Sequence, residues 1–264
     1  MENQNPVEAY YDAQDEWSRL DRYFVEFAIT KRYLDEFLPD RPLNILEIGG
    51  GPGRYSIYLA GKGHRVTLLD LSSRSVRAAR EHAAEAGVAL ADAIHGNALN
   101  LPRFEAPFDA VLLMGPLYHL TKAEDRARAA REALDALAPG GLLFAAFISC
   151  YAPTLDYLTR QIPVAGEVES LLGYLEDGAH REGDGFTIAY FIDPHRARDF
   201  MDSFGLERLA FAGVENILSG REQELKQMPG AEREAWLEVG WRLSRDMNVI
   251  GSSHHLLYVG RKPG

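Results

Sequence analysis

The chain has a single cysteine, Cys150, among 264 residues. One thiol excludes an internal disulfide and any cysteine-rich metal site, and it fits a reducing compartment. Apolar runs are short, and none approaches the roughly 20 residues that a helix needs to cross a bilayer. The opening residues, Met1 to Trp17, are polar and acidic, without the apolar stretch of a secretory signal. Basic charge is also scarce: 28 Lys and Arg stand against 39 Asp and Glu, a net charge of −11. Nucleic-acid binders usually carry a basic patch, so this balance argues against DNA or RNA as a partner. Internal repeats and low-complexity tracts are missing. These absences predict a cytoplasmic protein with no membrane and no nucleic acid among its partners.

What the chain does have is glycine, concentrated in one place. Asn44-Ile45-Leu46-Glu47-Ile48 is a short apolar run. Gly49-Gly50-Gly51-Pro52-Gly53 follows it, ahead of the amphipathic Tyr55, Ile57, Tyr58 and Leu59. The order reads as strand, tight turn, helix. Glycines at 49, 51 and 53 permit positive φ and let a ligand approach with no Cβ in the way. The helix that follows presents unpaired N–H groups to that ligand. A dinucleotide fingerprint needs its third glycine three residues beyond the second. Counted from Gly51 that position is Arg54, and the third glycine comes early, at Gly53. Glu47 stands two residues before the first glycine. A carboxylate there repels a pyrophosphate and attracts an ammonium, which favours a ligand with an amino-acid end over NAD.

The Glu-x-Gly-x-Gly-x-Gly spacing at 47–53 resembles motif I of the class I S-adenosylmethionine-dependent methyltransferases, and the resemblance spans nearly the whole chain. Arg65–Asp70 reads as a second strand ending in an acid 21 residues after Gly49. That is close to the offset at which a carboxylate reaches the ribose hydroxyls of a nucleotide. Leu71 follows and can cover one adenine face. After a short third strand, 91–94, comes Gly96-Asn97-Ala98, where the family often carries Gly-Asp-Ala. The family's acid accepts a proton from the adenine amine, and the next N–H donates to the ring. Here Asn97 substitutes a neutral, weaker acceptor, and Ala98 supplies the N–H. Residues 108–114 read as a fourth strand, apolar enough to be buried on both faces. Its carboxyl end, Met114, leads into Gly115-Pro116-Leu117-Tyr118-His119-Leu120, beside the point where open α/β sheets bind ligands. This hexapeptide resembles the small-molecule branch of the family. The Asn- or Asp-Pro-Pro-Tyr tetrapeptide of its amino-methylating nucleic-acid and glutamine enzymes is missing.

The resemblance implies an α/β fold: a Rossmann-like, seven-stranded, mostly parallel sheet with an antiparallel C-terminal hairpin strand. A helical lid, 1–39, precedes it, and a cap insertion, 151–193, divides the core into 40–150 and 194–264. Helical spacing predicts two aromatic-rich helices over 6–38, then helices over 72–85, 122–137, 194–204 and 231–247. The remaining strands are expected at 142–148, 206–214 and 255–260. The cap reads as short helical pieces carrying eight acids, from Asp156 through Glu182 and Asp184 to Asp193, against Arg160 and Arg181. This gives a mild tilt toward amine or neutral substrates. His254 and His255 are adjacent, so on a strand they face opposite ways and make a poor metal pair. No metal is implied, because acids and histidines do not cluster with ligand-like spacing.

The implied reaction is methyl transfer from S-adenosylmethionine, releasing S-adenosylhomocysteine, to an O or N of a small metabolite, within a secondary-metabolite pathway. A peptide acceptor stands second within the same chemistry. Tyr11, Glu47, Gly49, Gly51, Gly53, Asp70, Leu71, Asn97, Ala98 and Met114 are the expected cofactor residues. Tyr118, His119 and Tyr151 are expected to meet substrate, and His119 is the candidate general base, an imidazole beside the reaction centre. A protein that binds the cofactor without transferring methyl is the alternative from another class. An NAD-dependent oxidoreductase is a third reading, weakened by Arg54 and by the lack of a Tyr-x-x-x-Lys pair after strand five. The chain is expected to act as a monomer or homodimer.

Overall fold

Alternation along the strands builds two apolar faces. In the computed structural model, which describes residues 5–180 and 186–264, the first strand, β1 (Asn44–Ile48), turns Ile45 and Glu47 to one side of the sheet. Leu46 and Ile48 go to the other. The N-terminal helices α1 (Pro6–Ala13), α2 (Arg19–Arg22) and α3 (Phe24–Phe37) precede β1. The two helices expected over 6–38 are therefore three. Pro6 opens α1 with Asn5 as its cap, the Asn5 side chain accepting from the Val7 N–H.

From β1 the chain alternates through α4 (Arg54–Gly61), β2 (Arg65–Asp70), α5 (Ser73–Glu85), β3 (Asp92–His95), β4 (Phe108–Leu113), α6 (Pro116–His119), α7 (Ala123–Ala136) and β5 (Leu137–Ile148). The segment after β5 holds α8 (Ala152–Thr159), α9 (Val168–Glu176) and a two-residue ladder of β6 (Ala179–His180) with β7 (Ala189–Tyr190). That ladder corrects the expectation of helical pieces alone; Arg181, Glu182 and Asp184 lie outside the described residues. The remainder is α10 (Pro194–Asp202), β8 (Glu207–Gly213), α11 (Glu222–Gln227), α12 (Gly230–Leu243) and β9 (His255–Arg261).

The seven-stranded sheet runs in the order β3-β2-β1-β4-β5-β9-β8. The pairs from β3 to β5 are parallel, and β9 is antiparallel to both β5 and β8. Strand order reverses between β1 and β4, so the loops after those strands splay apart and leave a crevice at their carboxyl ends. On the Ile45 side, α3, α4 and α12 supply Ile29, Tyr33, Leu59 and Leu237; on the Leu46 side, α7 and α10 supply Ala129, Ala133 and Met201. Val111, Leu112 and Leu113 of β4 are fully buried, as are Ile45, Leu46 and Ile48. Each such side chain contributes about 1.5–3 kcal/mol relative to exposure, so the crevice sits on a fully buried part of the core. Among the described residues no helix is long and apolar enough to cross a membrane.

Candidate active site

The turns that follow β1 to β4, with α1 laid across them, enclose a cavity of about 280 Å³. Glycine geometry makes the floor. Gly49, Gly51 and Gly53 all have positive φ. A Cβ at Gly49 would lie 2.5 Å from the Pro116 ring, so this glycine lets the loops after β1 and β4 close on each other. Gly51 borders the cavity, and a Cβ there would meet no protein atom within 4 Å, which marks open space beside the turn. Gly53 does not line the cavity: a Cβ on it would meet Ala79 of α5 at 3.1 Å, so it serves helix packing and the start of α4.

Two of the carboxylates that line this space, Glu47 and Asp70, come from β1 and β2. Glu47, on the α4 side of β1, is 1% exposed and accepts from the Ser56 hydroxyl of α4. Burial outweighs that bond and lifts its pKa to about 7, with the neighbouring Asp70 adding to the rise. Asp70, at the end of β2, accepts from the Gly51 N–H at 2.7 Å and from the Ser72 N–H at 2.8 Å. Burial still raises its pKa against those two donors. Asp70 thus braces the glycine turn as well as facing the cavity. Leu71, Ala98 and Met114 line the cavity. Asn97 lines it too, but its amide oxygen accepts from the Leu99 N–H at 2.9 Å. The side chain shapes its own Asx turn, which leaves only the second lone pair of that oxygen for a ligand.

Another part of the cavity wall is aromatic. Tyr11 from α1 and Tyr118 and His119 from α6 meet there, with Phe186 against His119 at a ring separation of 5.6 Å. The Ile188 carbonyl lies 3.1 Å from His119 Nδ1, and the Tyr11 hydroxyl lies 2.7 Å from His119 Nε2. A carbonyl only accepts, so Nδ1 carries the proton, Nε2 is bare, and Tyr11 donates to it. Burial pushes the His119 pKa down to about 4 against the pull of the Ile188 carbonyl, which keeps the ring neutral. Tyr151 is not brought to this site. It heads α8 at 37% exposure, its ring against Gly251, which corrects its expected substrate role.

The sequence reading missed a buried ion network on the same wall. Arg19 and Glu26 line the cavity and make a two-pronged pair at 2.8 and 3.0 Å. His255 Nδ1 lies 2.5 Å from Glu215 and 3.5 Å from Glu26. Donor atoms of Glu26, Glu215 and His255 fall within 4.8 Å of one another, so these acids and this histidine do cluster. Burial opposes the charge on His255, but Glu26 and Glu215 prevail and raise its pKa. Arg19 brings a positive charge to this cluster, and the two carboxylates favour the charged form of His255. Arg19 opens α2 and Glu26 lies in α3, on either side of the break at Tyr23, so no single-helix spacing signalled the pair. Glu215 reaches His255 only because β8 pairs with β9.

Arg54, which breaks the dinucleotide pattern, ties the N-terminal segment down. It donates to the Trp17 carbonyl at 3.0 Å, pairs with Asp21 at 2.8 Å and stacks on the Trp17 and Phe27 rings. Asp12, just past Tyr11, accepts from the Ser72 hydroxyl at 2.6 Å at the start of α5.

A nucleoside with an amino-acid tail fits these residues: a carboxylate for a sugar diol at Asp70, apolar Leu71 and Ala98 for a base, and buried Glu47 for an ammonium. Comparisons with known proteins agree. A methyltransferase-domain family model matches residues 45–141. A ubiquinone biosynthesis O-methyltransferase of Methylobacterium nodulans is 34% identical over 80% of this chain and 72% of its own length. The tRNA 5-carboxymethoxyuridine methyltransferase of Escherichia coli is 25% identical over 94% of this chain and 86% of its own. The N-methyltransferase NodS of Bradyrhizobium japonicum, solved with S-adenosylhomocysteine, superposes with a TM-score of 0.57 at 15% identity, covering 99% of this chain and 100% of that one. The fold and site define a Rossmann-like enzyme that takes a sulfonium nucleoside. The chain belongs to the class I S-adenosylmethionine-dependent methyltransferases.

Proposed function

We propose that the enzyme transfers the methyl group of S-adenosylmethionine to a hydroxyl oxygen of a small molecule. The observation that carries this reading is the neutral, buried imidazole of His119. Its accepting nitrogen is already committed to a hydroxyl, that of Tyr11, in the wall of the same cavity as Glu47 and Asp70. A hydroxyl acceptor must lose its proton as oxygen bonds to carbon, and a bare imidazole nitrogen is the group that can receive it. The name of the 34%-identical relative supports oxygen as the acceptor atom.

When bound, S-adenosylmethionine supplies an electrophilic methyl on a positively charged sulfur. The chain's own part is to hold and to exclude. Asp70 grips the ribose, Glu47 the amino group, and Leu71, Asn97 and Ala98 the base. The N-terminal helices act as a lid, latched through Arg54 and Asp12, and keep water from the reacting centre. Residues 151–180 and 186–193 form a cap that shapes the acceptor pocket through Phe186 and Ile188. Fixing donor and acceptor in line contributes up to about 7–11 kcal/mol of rate acceleration. The relatives' names give no support to a secondary-metabolite pathway, so none is proposed. A tRNA acceptor, suggested by the Escherichia coli relative, sits badly with a net charge of −11.

The test is an acceptor panel of catechols, simple phenols, amines, short peptides and bulk tRNA, with S-adenosylhomocysteine release and acceptor mass both followed. Methylation of hydroxyl compounds, with amines and tRNA unchanged, is the expected result. Methylation of nitrogen alone would overturn the oxygen assignment. Cofactor binding with no turnover of any acceptor would favour a binding protein.

A further inference from the structure

Both ring nitrogens of His119 are engaged. Nδ1–H donates to the Ile188 carbonyl, and Nε2 accepts from the Tyr11 hydroxyl. An acceptor molecule therefore has no free imidazole nitrogen to meet. Tyr11 Oη, by contrast, gives its one hydrogen to Nε2 and keeps lone pairs that can accept. Tyr11 lines the cavity, and its ring is fixed edge-on by Tyr10 at 5.3 Å and by His119 at 5.3 Å.

We propose that Tyr11, rather than His119, is the residue that contacts the acceptor hydroxyl, and that it relays the acceptor's proton to Nε2 of His119. This rests on the O-methylation reading and deepens it. The acceptor O–H bond breaks and its proton moves to Tyr11 Oη. In the same motion the Tyr11 O–H bond breaks and that proton forms the Nε2–H bond. The electron pair left on the acceptor oxygen would form the new bond to carbon as the carbon–sulfur bond breaks and its electron pair stays with sulfur. Tyr11 ends as it began, and His119 ends as an imidazolium that returns its proton to solvent after product leaves.

The cavity's net charge is unchanged through the step, because the positive charge lost from sulfur reappears on the imidazole. That balance is why a ring so reluctant to ionise can still serve: its pKa of about 4 belongs to a cavity without a departing cation. Ile188 completes the arrangement by fixing the tautomer, as the buried acid does in hydrolase triads. The relay also gives α1 a chemical duty. A lid that carries the proton-accepting hydroxyl makes the site competent only when closed.

Two measurements test it. In the first, wild type, Tyr11→Phe and His119→Gln are assayed on phenols of graded acidity. With weakly acidic acceptors both variants should lose about 10²-fold or more in kcat, the usual worth of general-base help. With acceptors already ionised at assay pH the loss should shrink to a few-fold, because no proton needs moving. Equal losses across the series would reduce Tyr11 to a wall of the pocket and overturn the relay. The second measurement needs no turnover. Nitrogen NMR of ring-labelled His119 should report hydrogen on Nδ1, with Nε2 shifting in Tyr11→Phe. Hydrogen found on Nε2 would overturn the proposal outright. A chain that methylates no hydroxyl compound would defeat the O-methylation reading and the relay with it, whereas the wrong tautomer defeats the relay alone.

Discussion

Glu47 and Asp70 show how much one buried carboxylate can carry. With its pKa lifted to about 7 by burial, Glu47 is partly protonated at neutral pH in the free protein. The folded chain then holds more protons than the unfolded one between the ordinary carboxylate pKa and about 7. On account of this group, stability falls as pH rises through that window, and the cost is fully present above it. An ammonium beside Glu47 reverses the cost by favouring the ionised form. Cofactor binding should therefore release a proton, and affinity should be about tenfold weaker at pH 6 than at pH 8. Calorimetry in buffers of different ionisation heat checks this, and a pH-independent affinity would contradict it. Glu47 and Asp70 were legible from spacing alone. Asn97 was legible as a position in the cavity wall, but the share its side chain gives to its own turn was not.

Elements that hold the site were harder to read than the site itself. Pro139-Gly140-Gly141 looked like the gap between a helix and the strand at 142–148. Instead β5 starts at Leu137, which pairs with Phe108, and Gly140 donates to the Lys262 carbonyl at 3.0 Å. A distant chain segment supplied the hydrogen bond that local propensity could not foresee. The N-terminal helices were visible as aromatic periodicity, but their docking through Arg54 and Asp12 was not, since both partners are remote in sequence. Replacing Asp12 with Ala removes two hydrogen bonds at the start of α5, from the Ser72 hydroxyl and the Arg74 N–H, each worth about 0.5–1.5 kcal/mol. Several-fold faster cofactor release is expected, with the melting temperature little changed; an unaltered release rate would show that α1 is not the gate. Gly49→Ala sets a Cβ against Pro116 in a positive-φ backbone. It should cost about 1–3 kcal/mol, or several degrees in Tm by thermal melting.

At the scale of the whole molecule, a parallel sheet with a strand-order reversal places four loop ends together, and the N-terminal helices close what they leave open. One cavity brings carboxylates and glycine turns together with aromatic rings and a neutral histidine. The alternation of strand and helix patterns pointed to a parallel α/β sheet, and the antiparallel last strand was what the family resemblance implied. The Arg19–Glu26–His255–Glu215 network did not, because three separate segments meet there only in the folded chain. The central claim is that Glu47 and Asp70 together hold an amino-acid nucleoside under α1. The measurement that tests it most directly is equilibrium titration of S-adenosylhomocysteine into the wild type and into the Glu47→Gln, Asp70→Asn double variant at pH 8. One molecule bound per chain by the wild type, with at least ~100-fold weaker binding by a variant that still folds, is the predicted result, since each charge-assisted contact is worth about 1.5–3 kcal/mol. Equal affinity in the two proteins, or no binding by the wild type, would contradict it.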